Sequence, residues 1–438
     1  MLDFIKRYIP DTLLDIVRPI YHYCFAVVGM LIYRHPTRNI KVIGVTGTKG
    51  KTSTTEIINA IFEEAGYKTA VSNSVRFKIG DTVHRNTKKM TMPGRGFLQH
   101  FFQEAVDAGC EYAIVELTSE GTIQYRHKFI QLNTFVFTNL SPEHIEAHGS
   151  YENYRAAKLT YARLIEKSPK PDRTIVANVD DEAGDMFLDF AVEETRPYSL
   201  AMLDSYAVDA NGFTIQLEGT RIHSPLGGTF NIYNSLAAIE VARAEDIPLK
   251  TTKRALEAFG GIPGRLERIQ PKDKTLRDAQ DFTVVVDYAH TPDSLEKVYQ
   301  VFEKRNKICV LGNTGGGRDT WKRPKMAKIA ENYCEHIILT NEDPYDEDPQ
   351  KIVDEMANAL TIPKYNIIMD RREAIHHALS RAEEDDVVLI TGKGTDPYIM
   401  GPNGSKTPWD DATITREELE NILSDKTFEN TKKEAGAS

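Results

Sequence analysis

Some forty residues into the chain, Gly44-Val45-Thr46-Gly47-Thr48-Lys49-Gly50-Lys51-Thr52-Ser53-Thr54-Thr55 sets glycines, a lysine and a run of hydroxyls where an apolar β-branched segment gives way to a helical one. A strand, a glycine-rich turn and a helix in that order aim backbone N–H groups and the positive end of a helix dipole at one point, which suits phosphate. In such a loop Lys51 neutralises β- and γ-phosphate oxygens and the Thr52 hydroxyl faces magnesium. The general ATPase pattern wants glycine five positions before Gly50, where Val45 stands; the form present is TGTxGKTS. A second chemical signal is Glu116 in VELTSEG, a carboxylate closing an apolar run, whose burial costs free energy unless it is paired or metal-bound.

The elements that must position these groups follow from periodicity. From Lys41 onward, short β-branched runs alternate with helical stretches, which implies parallel sheets with crossover helices. Strands are expected at 40–45, 113–117, 134–138 and 174–178, with helices at 52–65 and 230–244. Gly260-Gly261-Ile262-Pro263-Gly264 marks a boundary, after which the alternation restarts with strands at 282–287, 307–312, 336–340 and 386–391. The fold class is therefore α/β: a central P-loop ATPase-type parallel sheet domain (40–261), a C-terminal Rossmann-like α/β domain (262–425), a short N-terminal helical segment (1–39) and a polar, frayed tail (426–438).

Sixty-four acids against 54 bases give a net charge of −10, which opposes a broad grip on nucleic acid. Cys24, Cys110, Cys309 and Cys334 lie far apart without CxxC spacing, and read as reduced, mostly buried thiols of a cytoplasmic protein. Ile20–Tyr33 is strongly apolar behind Lys6, Arg7 and Arg18, yet it falls short of the ~20 residues that span a bilayer. It reads either as a helix packed on the protein body or a partner, or as a membrane-surface contact at the inner face.

TGTxGKT[ST] is the form of the phosphate loop in the Mur ligases, and several further motifs run in that family's order from Thr46 to about Asp411. The chain resembles this family, most of all the branch adding the third residue of the stem peptide; its members couple ATP cleavage to amide-bond formation in cell-wall precursors. The resemblance implies ATP and Mg2+, with Gly47, Thr48, Lys49, Gly50, Lys51, Thr52 and Ser53 around the phosphates. TNLSPEHIEAHGSYENYRAAKLTYARL resembles the family's TNLSxDHLDxHGxxxxYxxAKxxL. It implies that His144 joins Thr52 and Glu116 at the metal, with Lys158 as a carbamate. Charge supports that modification, since a bare ammonium repels magnesium and a carbamate is an anionic ligand.

Thr91-Met92-Pro93 resembles a Thr-Thr-Pro segment at the acceptor, as do Ser119 in the Glu116 motif and Gln124 with Arg126 in TIQYRHK. FNIYN resembles FNxxN, which implies nucleotide contacts for Asn231 and Asn234. GRLE and VVVDYAHTPDSLEKV imply Arg265 at the phosphates, Asp287 at the ribose and His290 near the nucleotide. Lys51, Glu116, His144, Lys158 and Arg265 are thus the implied catalytic set.

For the incoming amino acid the resemblance implies Arg318, the loop Glu342-Asp343-Pro344-Tyr345, Gly392 and Asp396. Members that add diaminopimelate carry DNPR in that loop, and its arginine grips the distal carboxylate. Here Tyr345 replaces the arginine and acid is added, so lysine stands beside diaminopimelate as the amine, by Coulomb sign. The family also seats the uridine nucleotide on an N-terminal domain; with about forty residues before Lys41, that domain is expected to be reduced or missing and the acceptor's handle is open. A monomer is expected. Two other readings share these motifs: a ligase for another carboxylate acceptor, folyl-polyglutamate or cyanophycin-like, and a non-catalytic nucleotide-binding partner.

Overall fold

The computed structural model describes residues 11–94, 96–141, 148–317 and 319–436. Two compact units emerge: Met1–Ala207 with Thr214–Ser224 and Thr229–Phe259, and Val208–Phe213 with Pro225–Gly228 and Gly260–Ser438.

In the first unit, helix α1 (Asp11–Ile32) leads to strand β1 (Lys41–Thr46) and helix α2 (Lys51–Glu64), then β2 (Thr69–Ser72), β3 (Arg76–Ile79) and β4 (Thr82–Arg85). Helix α3 (Phe97–Asp107), β5 (Tyr112–Glu116), α4 (Ser119–Ile123), β6 (Thr134–Phe137), α5 (Tyr151–Glu166), β7 (Thr174–Asn178), β8 (Glu194–Tyr198) and α6 (Thr229–Ala244) follow. The strands form one sheet in the order β4-β3-β2-β5-β1-β6-β7-β8. Pairing is parallel from β2 to β8, and β3 and β4 add an antiparallel edge. β1 is buried at every position after Lys41 because helices cover both faces of a parallel sheet, so the strand reads as a continuous apolar run. One face packs Val42, Val115, Phe135 and Phe137 against Phe101, Phe102 and Tyr161.

The consequence for function is topological. The chain runs from β1 to β2 on one side of the sheet, and β6 and β7 lie on β1's other side. A crevice therefore opens beyond the carboxyl ends of β5, β1 and β6, where ligands of open α/β sheets bind.

The second unit repeats the logic with β9 (Glu267–Arg268), β10 (Thr283–Asp287), α7 (Pro292–Val301), β11 (Lys307–Leu311), α8 (Lys322–Tyr333) and β12 (His336–Leu339). Helix α9 (Pro349–Ala357), β13 (Tyr365–Ile367), α10 (Arg371–Arg381), β14 (Val387–Thr391) and α11 (Asp411–Gly436) complete it. Its sheet order is β9-β10-β14-β11-β12-β13, parallel except for the short β9.

One expectation is corrected. Cys309 and Cys334 are not separate thiols but a disulfide, with Cα atoms 6.2 Å apart. β11 and β12 are neighbours, so the end of α8, which joins them, returns Cys334 to Cys309; sequence spacing hides that. Cys24 (exposed) and Cys110 (buried) are free. The polar tail continues α11 as far as Gly436, through a segment with three lysines and two glutamates, good helix formers.

A buried ion pair anchors α10 to α11. Arg371 and Asp411 are both 0% exposed by side chain, joined by Nε and Nη2 at 2.8 and 2.7 Å. Nη2 also donates to the Thr391 carbonyl, and Trp409 Nε1 donates to Asp411. Removing one partner strands a buried charge, which costs about 3–5 kcal/mol. Arg371→Ala is therefore expected to lose about that much stability, read by Trp fluorescence in denaturant titrations; a loss below about 1 kcal/mol would show the pair to be dispensable.

Candidate functional site

Three loops at the carboxyl edge of the first sheet are tied into one surface. The Thr46 hydroxyl donates to the Leu117 carbonyl at 2.8 Å, joining the loops after β1 and β5. On the other flank the Lys49 N–H donates to the Asn139 side-chain oxygen at 2.8 Å, and the Thr138 hydroxyl to the Lys49 carbonyl at 2.7 Å. This closeness demands glycine at position 47, where a Cβ would stand 1.9 Å from Thr138 Oγ1. Gly50 caps α2 at φ 81, in the left-handed region that favours glycine.

Asn234 of α6 reaches the same turn. Its Oδ1 lies 2.3 Å from where a Gly50 Cβ would be and accepts from the Thr54 hydroxyl at 3.4 Å. Its Nδ2 donates to Asn231 Oδ1 at 3.0 Å, so Asn231 stands one hydrogen bond behind the asparagine that meets the turn.

Lys51 curls over the loop, donating to the carbonyls of Gly47 and Thr48 at 2.9 Å each. Lys158, on α5 and 1% exposed, donates to the same Gly47 carbonyl at 2.7 Å. Its ammonium also lies 4.7 Å over the Tyr154 ring, and the Tyr154 hydroxyl is 3.0 Å from Thr48 Oγ1. Glu116, the last residue of β5, is 2% exposed and accepts from the Ser74 N–H at 3.4 Å. The Ser74 hydroxyl pairs with Thr52 at 2.8 Å.

Two hard oxygen donors, Thr52 and Glu116, thus converge beside the phosphate loop through Ser74. Among the described residues no group of three or more His, Cys, Asp or Glu is placed to hold a metal. That donor set fits magnesium, which keeps several waters and takes one or two carboxylates plus substrate phosphates. His144 lies outside the described residues.

The expected acceptor residues cluster around Arg126. It donates to the Met92 carbonyl and to Gln124 Oε1, while its Nε has no hydrogen-bond partner among the described residues. Burial lowers its pKa, with Glu120 opposing that shift. Met92 is buried, its sulfur 3.2 Å from the Tyr161 hydroxyl, so the residue replacing threonine packs rather than presents a hydroxyl. Thr91 is next in the chain and half-buried. Ser119 opens α4 and pairs with His148 Nε2 at 3.0 Å. Thr122, Tyr125, His127, Lys128, His148 and Asn153 line an adjoining cavity of about 530 Å³.

Sequence reading gave His148 and Tyr154 no role, although both stand in the quoted segment HIEAHGSYENY. His148 stacks edge-on against Tyr154 at 5.3 Å, so Ser119, His148, Tyr154 and Thr48 form a continuous chain from the acceptor cluster to the phosphate loop.

In the second unit, Asp287 ends β10 and both its oxygens are used, by the N–H groups of Leu266 and Ala289 at 2.7 Å. Its first task is therefore to hold the turn. Arg265 lies 4.3 Å over the Tyr288 ring, and the His290 ring is 4.6 Å from that ring. The Tyr288 phenol is pushed well above its ordinary pKa by the charge of Asp396, then by burial. Glu342 is 3% exposed; Oε1 accepts from Thr314 and Oε2 has no hydrogen-bond partner among the described residues. Burial raises its pKa. A Cβ on Gly392 would come 2.4 Å from that oxygen, and Gly392 has φ 108. Asp343 is not a free acid: Oδ1 accepts from the fully buried Lys393 ammonium and from the Met400 N–H, both at 2.8 Å. Tyr345 takes φ 53, its N–H bonded to the Met400 carbonyl at 3.0 Å. Arg318 lies outside the described residues.

Burial beside the acceptor cluster also sets a pH response. His127 is 3% exposed, and desolvation of its charged form lowers its pKa from 6.5 to about 4. The unfolded chain binds this proton more readily, so the contribution is complete above pH 6.5 and is lost as pH falls toward 4. The loss is on the order of 3 kcal/mol. Denaturant unfolding of His127→Gln between pH 7 and 4 is expected to show a flatter profile than the parent by that order; parallel profiles would refute a neutral buried imidazole.

Comparison with known proteins agrees with this layout. The Mur ligase middle domain matches residues 45–242, and the Mur ligase glutamate ligase domain matches 264–394. The chain is 36% identical over 390 residues to UDP-N-acetylmuramoyl-L-alanyl-D-glutamate–2,6-diaminopimelate ligase of Syntrophomonas wolfei, covering 86% of this chain and 77% of that one. A solved structure of a ligase with that same name superposes with a TM-score of 0.60 at 27% identity, over 87% of this chain and 78% of the other. Mycobacterium tuberculosis folylpolyglutamate synthase with ADP gives 0.68 at 19% identity, over 84% and 91%, a likeness of fold alone.

Proposed function

The chain belongs to the Mur ligase family, and on that premise we propose that it joins a diamino acid to the acidic end of a muramyl dipeptide, at the expense of ATP, in peptidoglycan precursor synthesis. The observation that carries the reading is the joined surface of Lys51, Thr52, Glu116 and Lys158 around Gly47, continuous with the Arg126 cluster. Diaminopimelate is the amine in the names of the relatives; lysine is the other candidate. The folyl-polyglutamate alternative has only the fold likeness behind it.

The acceptor carboxylate attacks the γ-phosphate, giving an acyl phosphate and ADP; the amine then displaces phosphate to form the amide. Lys51 swings from its own loop's carbonyls to the phosphate oxygens, and the α2 N-terminus holds the same charge. Gly47, Thr48, Lys49, Gly50 and Ser53 present the loop around the phosphates, with Asn231 and Asn234 holding its far side. Thr52, Glu116, His144 and a carbamylated Lys158 would hold magnesium, which would supply neutralisation of phosphate charge. Thr91, Met92, Ser119, Gln124 and Arg126 seat the acceptor. In the second unit Arg265, Asp287 and His290 serve the nucleotide. Arg318, Glu342, Asp343, Tyr345, Gly392 and Asp396 serve the amino acid, with Arg318's fork suited to its α-carboxylate. A monomer working in the cytoplasm completes the reading, and the apolar N-terminal helix bears on the membrane face.

Lys51→Ala is expected to abolish phosphate release driven by acceptor plus amine, a loss of at least ~10³-fold, with an unchanged circular dichroism spectrum. Near-parental turnover would remove Lys51 from the site. The amine is tested by a phosphate-release screen of amino acids on UDP-linked muramyl dipeptide. If the distal carboxylate is disfavoured for want of an arginine, Tyr345→Arg raises kcat/KM for diaminopimelate relative to lysine by ~10-fold or more; an unmoved ratio places specificity elsewhere.

A further inference from the structure

Helix α1 shows an apolar face that its own fold leaves open. Its inner side is fixed: a Cβ on Gly29 would lie 3.2 Å from Gly96 Cα, and Tyr23 meets Tyr125 edge-on at 5.7 Å. The outer side carries Ile20 at 60%, Leu31 at 65% and Ile32 at 63% exposure, with Val17, Cys24 and Val28 also exposed. Positions 17, 20, 24, 28 and 31 fall at helical spacing, so these side chains form one stripe without a polar residue.

We propose that this stripe docks on the surface of an anionic lipid bilayer, with α1 lying in the plane of the headgroups. Charge selects this occupant. Residues 1–40 carry five bases (Lys6, Arg7, Arg18, Arg34, Arg38) against three acids, so this segment is positive in a chain of net charge −10. An anionic surface attracts the helix and repels the acidic body, which orients the molecule with α1 toward the lipid. A second copy would instead bring two positive segments together. Among the described residues no helix is long and apolar enough to cross a membrane, so the helix lies on the bilayer rather than through it.

Flotation of the full chain with phosphatidylcholine vesicles, with and without phosphatidylglycerol, tests this in the absence of nucleotide and acceptor, so its outcome is independent of the ligase reading. Binding to the anionic vesicles is expected, lowered at least ~10-fold by the double substitution Ile20→Glu, Leu31→Glu and reduced by salt. The same pair should keep the parental circular dichroism spectrum and thermal midpoint, which reports that the variant is folded. No flotation, equal flotation with neutral vesicles, or an undiminished double variant would each overturn the proposal. So would light scattering that shows a parental dimer turned into monomers by the double substitution, because the stripe would then be a self-interface.

Discussion

One carbonyl oxygen organises the first unit. Gly47 accepts hydrogen bonds from both Lys51 and Lys158, one from its own loop and one from α5, which comes more than a hundred residues later. Two ammonium groups on one acceptor, at the start of α2, concentrate positive charge at a point where the helix dipole already favours anions. Mutual repulsion makes that arrangement costly unless something negative answers it. A phosphate oxygen is the kind of charge that would answer it. Much else follows from that geometry: a glycine that cannot carry a Cβ, a threonine hydroxyl packed into the space it leaves, and Tyr154 beneath the second ammonium.

The sheet order supplies the means. Because β1 lies between β5 and β6, three loops distant in sequence emerge side by side, and each contributes a part. The loop after β1 brings Gly47 to Gly50, the end of β5 and the start of α4 bring Glu116 and Ser119, and the loop after β6 brings Thr138 and Asn139. The second unit uses the same device at the ends of β10, β14 and β12. There the parts are Asp287, the Gly392–Asp396 turn and the Glu342–Tyr345 loop.

The strand-turn-helix around Gly47 and the α/β alternation were legible because they are local: periodicity and turn chemistry act over a few residues. Motif order brought Glu116, Lys158 and Asn234 into view without saying what they touch. What stayed hidden is pairing across long separations. Nothing in the spacing of Cys309 and Cys334 announces a bond that depends on β11 and β12 being neighbours. Asp343 reads as added acidity until Lys393 is seen against it. The antiparallel β3–β4 edge was missed because its second strand is exposed at every position and has no alternating apolar pattern. His148 was hidden by its own motif, as one of two histidines four residues apart.

The Lys393–Asp343 pair also limits how this molecule can evolve. Lys393 sits in the turn after β14 and Asp343 in the loop after β12, and each is the buried counter-charge of the other. Asp343 cannot be freely exchanged, because a lone change leaves the buried Lys393 ammonium with only the more distant Asp396 carboxylate, 3.8 Å away. Variation is steered to neighbours outside this buried charge cluster, Tyr345 among them. Change in descendants of this chain should therefore be written in a few half-open positions around an immobile, charge-locked centre.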